Sequence, residues 1–100
     1  MQGPPRVAVV ILNYNGKDFL EKFLPSVLAS TYSNTEVIVA DNGSSDDSIA
    51  FMRESFPSVP LIVNEKNEGF AGGYNTALRQ VAADLFVLLN SDVEVMPGWL

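Results

Sequence analysis

One hundred residues, 47% of them apolar, can build one small domain around a single core and do not describe a disordered chain. Cysteine and histidine are both absent, which excludes disulfides and thiolate or imidazole metal sites and leaves carboxylates, amides, hydroxyls and backbone groups for any chemistry. The formal net charge of −6 argues against a general nucleic-acid binder, which needs a basic face, and a phosphate ligand would need a cation or helix N-termini to offset repulsion.

The chain opens on Met1 to Pro5, which lacks the basic start and apolar core of a signal peptide and is expected to be flexible. Arg6 to Leu12 reads as a strand, a near-continuous apolar run suited to a parallel sheet covered on both faces. Asn13-Tyr14-Asn15-Gly16 is a turn. Leu20, Phe23, Leu24, Val27 and Leu28 then recur at helical spacing, with Pro25 predicting a kink or a restart because it lacks an N–H. Glu36 to Ala40 reads as a second strand ending at Asp41, and Asn42 to Asp46 is a turn-and-cap cluster. Ile49, Met52 and Phe56 predict a short helix stopped by Pro57, and Leu61 to Val63 a brief third strand. Asn64 to Gly69 reads as a polar loop. Tyr74, Ala77, Leu78, Val81 and Ala82 mark a third helix, entered through the glycines of Gly69 to Gly73. Leu85 to Leu89 reads as a fourth strand, and Pro97 to Leu100 as the start of another element. Neither long apolar run, Val7 to Leu12 or Leu85 to Leu89, can span a bilayer.

Strand–helix three times and then a strand predicts a doubly wound α/β sheet with right-handed crossovers. Ligands of such sheets bind beyond the carboxyl ends of the strands, so the polar clusters after strands one, two and four are expected on one rim. Asp41 is there either a turn former or a carboxylate for a base or ribose. Asn90, Asp92 and Glu94 alternate on an extended chain, so their oxygens could face one hard cation; a strand-terminating turn explains them equally. The glycines at 69, 72 and 73 allow close backbone approach at a helix N-terminus, as an anion site or as a compact junction. Tyr74, Asn75 and Arg79 are weaker candidates. The first turn lacks a dinucleotide fingerprint and the chain lacks a Gly-Lys-Ser/Thr phosphate loop, which weakens dehydrogenase and NTPase readings.

Four ordered segments carry a resemblance: Val9 to Gly16, Val39 to Asp46, Asn67 to Asn75, and Leu88 to Asp92. Together they resemble family 2 glycosyltransferases over nearly the whole chain from Arg6 onward. The resemblance implies a GT-A (Rossmann-like) three-layer α/β/α fold with a mostly parallel sheet. Residues 1–100 would be the N-terminal nucleotide-sugar-binding part, truncated after about the fourth strand. It implies that Leu12 and the turn Asn13, Tyr14, Asn15 contact the base and ribose of a nucleoside-diphosphate sugar. Asp41 would bind the base, with Gly43 beside it. Gly69, Gly72 and Asn75 would line the nucleotide pocket, with Asn90 and Ser91 at its far side.

Asp92 matches the last carboxylate of the family's Asp-x-Asp motif and would hold a divalent cation, Mg²⁺ or Mn²⁺, on the diphosphate. The motif's first position is Asn90 here, and this Asn-x-Asp form resembles a rhamnosyltransferase-like branch of surface-polysaccharide enzymes, with UDP- and dTDP-sugars as donors. The implied reaction is inverting transfer to an acceptor hydroxyl of a saccharide or lipid-linked acceptor, in the cytoplasm or at the inner face of the membrane. No residue here matches the general base, which the resemblance places beyond Leu100, so the 100 residues alone are expected to transfer little or no sugar. The apolar fourth strand is expected to be an edge that pairs copies into a homo-oligomer. The alternatives are a non-catalytic binding or assembly module, a nucleotidyltransferase lacking its Arg- and Lys-bearing loop, and a phosphoacceptor domain lacking an acidic end to strand one.

Overall fold

The computed structural model describes residues 6–29, 34–67, 69–79, 81 and 83–91. The elements run β1 (Val7–Asn13), α1 (Lys17–Leu28), β2 (Thr35–Asn42), α2 (Ser48–Ser55), β3 (Leu61–Asn64), α3 (Gly69–Leu78) and β4 (Leu85–Asn90). They form one four-stranded sheet in the order β3-β2-β1-β4, and every pairing is parallel. Every residue of β1 is buried, which is why its sequence is apolar without alternation.

Alternate residues of the strands feed two cores. Val7, Val9, Ile11 and Val39 meet Leu20, Leu24 and Val27 of α1 and Met52 of α2 on one face. Ala8, Val10, Leu12, Ile38 and Ala40 meet Tyr74 of α3 on the other. The result is the expected three-layer α/β/α architecture. Each of the large aliphatic side chains buried in α1 contributes about 1.5–3 kcal/mol by leaving water.

Two sequence expectations change in detail. Pro25 does not restart α1, which runs through it as one helix. Pro25 is exposed, and so is Glu21, whose carbonyl loses the i+4 donor; water can serve that carbonyl on the outer face. Helix α3 begins at Gly69, so its glycines form the first turns of the helix rather than a loop before it. Val81 lies beyond α3 and packs on the second core. Met1 to Pro5, Ala82, Asp92, Glu94 and Pro97 to Leu100 lie outside the described residues. Among the described residues no helix is long and apolar enough to cross a membrane.

Candidate functional site

The sheet order dictates where a ligand can enter. The chain moves outward from β1 to β2 to β3, then returns to place β4 on the other side of β1. A crevice opens where the direction reverses, beyond the carboxyl ends of β1 and β4. The register brings Asn13 beside Asp41 and Leu12 beside Asn90, so the polar ends of β1, β2 and β4 share one rim.

Behind that rim lies a compact polar network. Asn13 and Asp41 are both almost fully buried. The Asn13 amide donates to Asp41 Oδ1 at 3.1 Å. Ser44 donates to the same carboxylate through its hydroxyl at 2.6 Å and its N–H at 2.9 Å. The Ser44 hydroxyl in turn accepts the Asn15 N–H at 2.9 Å. Asn15 adopts a left-handed backbone, φ +50°, which asparagine tolerates. Its Oδ1 accepts the N–H groups of Ser45 at 2.7 Å and Asp46 at 3.2 Å. Thus the turns after β1 and β2 hold each other.

Asp46 ties this corner to two helices. Its carboxylate accepts the Lys17 N–H at the start of α1, at 3.2 Å, and the Ser48 N–H at the start of α2, at 2.9 Å. Each is a helix-terminal donor without an intrahelical partner. Burial pushes the Asp46 carboxyl up, but the hydrogen bonds from Ser48 and Lys17 outweigh it and leave it below the ordinary carboxylate range. The turn-and-cap reading of Asn42 to Asp46 therefore holds at Asp46.

In front of the network is an open cleft of about 370 Å³. Leu12, Tyr14, Gly69, Asn90 and Ser91, all named as candidates from the sequence, line it. Phe19, Asn42 and Asn67 also line it and were not among the expected site residues. Tyr14 and Phe19 are each about half exposed. Phe19 could have been suspected because it is an aromatic off the buried stripe Leu20, Leu24, Val27. Asn42 and Asn67 carry no such signal, since turn asparagines look alike in sequence.

The remaining expected residues stand elsewhere. Asn13 and Asp41 sit behind the cleft wall, and Asn15 is engaged with Ser45 and Asp46. Gly43 packs against the backbone of Lys66 and Asn67. Gly72 is half-buried in α3, and Asn75 is exposed on that helix with its carbonyl accepting the Arg79 N–H at 3.3 Å. Asp92, the expected metal ligand, is outside the described residues. The described lining bears no charged side chain, and among the described residues no group of three or more Asp, Glu, His or Cys could hold a metal ion. Asn90 and Ser91 supply neutral oxygens only, so the described rim does not by itself make a divalent-cation site.

The sequence matches the Glycosyl transferase family 2 profile over residues 8–100. The chain belongs to glycosyl transferase family 2. Escherichia coli UDP-Glc:alpha-D-GlcNAc-diphosphoundecaprenol beta-1,3-glucosyltransferase WfgD is 33% identical over 87 residues, covering 86% of this chain and 34% of WfgD. The mannosyltransferase PcManGT of Pyrobaculum calidifontis, solved in complex with GDP-Man and Mn²⁺, superposes with a TM-score of 0.78 at 29% identity. That match covers 90% of this chain and 28% of PcManGT. Residues 1–349 of Staphylococcus aureus TarS, in complex with UDP-GlcNAc, give a TM-score of 0.72 at 25% identity over 87% of this chain and 26% of that one. The family 2 chain thus has the GT-A-type α/β fold of these enzymes, as a partial domain. It spans about a third or less of the length of the curated relatives it matches.

Proposed function

We propose that residues 1–100 form the nucleotide-sugar-binding part of an inverting, rhamnosyltransferase-like family 2 glycosyltransferase that uses a UDP- or dTDP-sugar. The observation that carries this reading is the cleft at the β1–β4 switch point, whose described lining is uncharged, with Tyr14 exposed in it. A planar base can stack on an aromatic ring, while amides such as Asn67 and Asn90 can bond base edges and ribose hydroxyls without adding negative charge. Asp41 serves the base through the turn it holds, because its oxygens already accept from Asn13 and Ser44.

A divalent cation, Mg²⁺ or Mn²⁺, with Asp92 as its ligand belongs to the same proposal, and the Mn²⁺ in the PcManGT complex supports it. When bound, the cation would offset the diphosphate's charge. In the transfer itself, an acceptor hydroxyl oxygen bonds to the anomeric carbon as the bond from that carbon to the diphosphate oxygen breaks. The hydroxyl proton passes to a base contributed outside these residues, and configuration inverts. The 100 residues alone would transfer little sugar. The acceptor is a saccharide or lipid-linked saccharide in surface-polysaccharide synthesis, in the cytoplasm or at the inner face of the membrane. The undecaprenol-linked acceptor in WfgD's name supports that class.

A thermal-shift panel of UDP, dTDP and GDP, with and without Mn²⁺, tests the reading. UDP or dTDP should raise the melting temperature, and Asp92→Ala should reduce the Mn²⁺-dependent part. Tyr14→Ala should weaken binding about 5- to 150-fold, the loss of about 1–3 kcal/mol expected for one base–aromatic stack. No response to any nucleotide would leave the assembly module as the better account.

A further inference from the structure

Asn42 was expected to be a turn former, yet it is the last residue of β2, almost fully buried, and its amide reaches the cleft wall. Neighbouring strand residues point to opposite faces. Asp41 therefore serves the face of α1 and α2, whereas Asn42 turns toward α3. Its Oδ1 accepts the Asn64 amide at 3.2 Å. Its Nδ2 donates to Asn67 Oδ1 and to the Gly69 carbonyl, each at 3.1 Å. Asn67 Oδ1 also accepts the Gly69 N–H at 2.7 Å, which closes a ring of three residues.

Gly73 makes room for this arrangement and Gly69 supplies its left-handed backbone. A Cβ on Gly73 would stand 2.8 Å from Asn42 Nδ2 and 2.9 Å from a Leu12 methyl, so α3 can approach only without one. Gly69 has φ +76°, and open space surrounds the position its Cβ would take. Gly69 and Asn67 are cleft wall, and the side chain that ties both to the sheet is Asn42.

We propose that Asn42 is a positioning residue for the donor nucleotide: its amide sets where the cleft-wall residues Asn67 and Gly69 stand relative to Leu12 and Asn90. The inference rests on the nucleotide-binding reading above. An amide is required because one side must accept while the other donates twice; a carboxylate supplies acceptors alone. In Asn42→Asp the bond from Asn64 survives, but an oxygen replaces the donor facing Asn67 Oδ1 and the Gly69 carbonyl.

The test measures the affinity for UDP and dTDP of the wild-type and Asn42→Asp 100-residue proteins from pH 4 to pH 9, which brackets a carboxyl between its ordinary value of about 4 and the values of about 8–9 reached on burial. The expected result is at least a tenfold loss for Asn42→Asp at the alkaline end. The ratio to wild type should recover as the pH falls, since a protonated carboxyl regains one donor. Melting temperatures taken alongside separate this from a general loss of fold, which would not regain affinity in acid. If Asn42→Asp does not fold, Asn64→Ala serves: Asn64 lies outside the cleft lining and reaches it through Asn42, and its loss should still weaken binding at least threefold. Affinity of the variant that folds within twofold of wild type across the range overturns the inference and leaves the functional reading standing. So does a loss in Asn42→Asp that is independent of pH. A wild-type protein that binds neither nucleotide overturns both.

Discussion

Gly43 shows how much a single missing side chain can decide. Its φ is +79°, and an added Cβ would stand 2.5 Å from the Lys66 carbonyl carbon and 2.6 Å from the Asn67 nitrogen. Those neighbours are backbone and cannot rotate away. Gly43→Ala should cost about 1–2 kcal/mol for the left-handed backbone and about 1–3 kcal/mol more for the overlap. The urea midpoint should fall accordingly, and an unchanged midpoint would contradict this packing. Gly69→Ala is the useful contrast, since Gly69 shares the positive φ but has open space around it; only the backbone cost should appear. Asp41 illustrates the limit of reading residues singly. Its place after a strand was legible, but its commitment to Asn13 and Ser44 was not, because those partners come from sequence distances of 28 and three residues.

At the scale of elements, one phenol ties α3 to β4. Tyr74 is buried and donates its hydroxyl to the Leu89 carbonyl, linking α3 to β4. Tyr74→Phe should lower stability by about 0.5–1.5 kcal/mol, the usual net worth of a hydrogen bond. Burial raises the Tyr74 pKa, and a bond with the Leu12 backbone opposes that only in part. The folded state therefore resists ionisation more than the unfolded chain does. The associated stability is complete below the ordinary tyrosine value of about 10 and is lost as the pH rises through the higher folded value. A plot of melting temperature against pH should fall more steeply above that point for wild type than for Tyr74→Phe; parallel curves would contradict the assignment. Helix α1 teaches the complementary lesson. Pro25 signalled a kink or a restart, and α1 runs through that exposed position as one helix.

For the whole molecule, β4 is an edge of the sheet among the described residues. Leu85, Phe86 and Leu88 on it are exposed. An apolar edge strand presents unpaired backbone groups and invites another strand. The homo-oligomer proposal rests on this feature. Light scattering should show concentration-dependent association, reduced by Leu88→Lys; a clean monomer at high concentration would reject it. The net charge of −6 works against close association, so added salt should strengthen it.

Among the described residues the one-dimensional pattern was sufficient for the type and order of the elements, since burial on both faces writes itself as the apolar run of β1 and amphipathic burial as the 20, 24, 27 stripe of α1. Four spaced segments were likewise sufficient for the family, because local backbone turns demand particular residues at particular intervals. Tertiary structure alone decided which polar residues face the cleft and which stand behind it. Asp41 and Asn42 are neighbours in sequence, and the pleat of β2 sends one into the buried network and the other to the cleft wall. That division follows from strand register and from the close approach of α3 over Gly73, contacts between distant residues that no local pattern encodes.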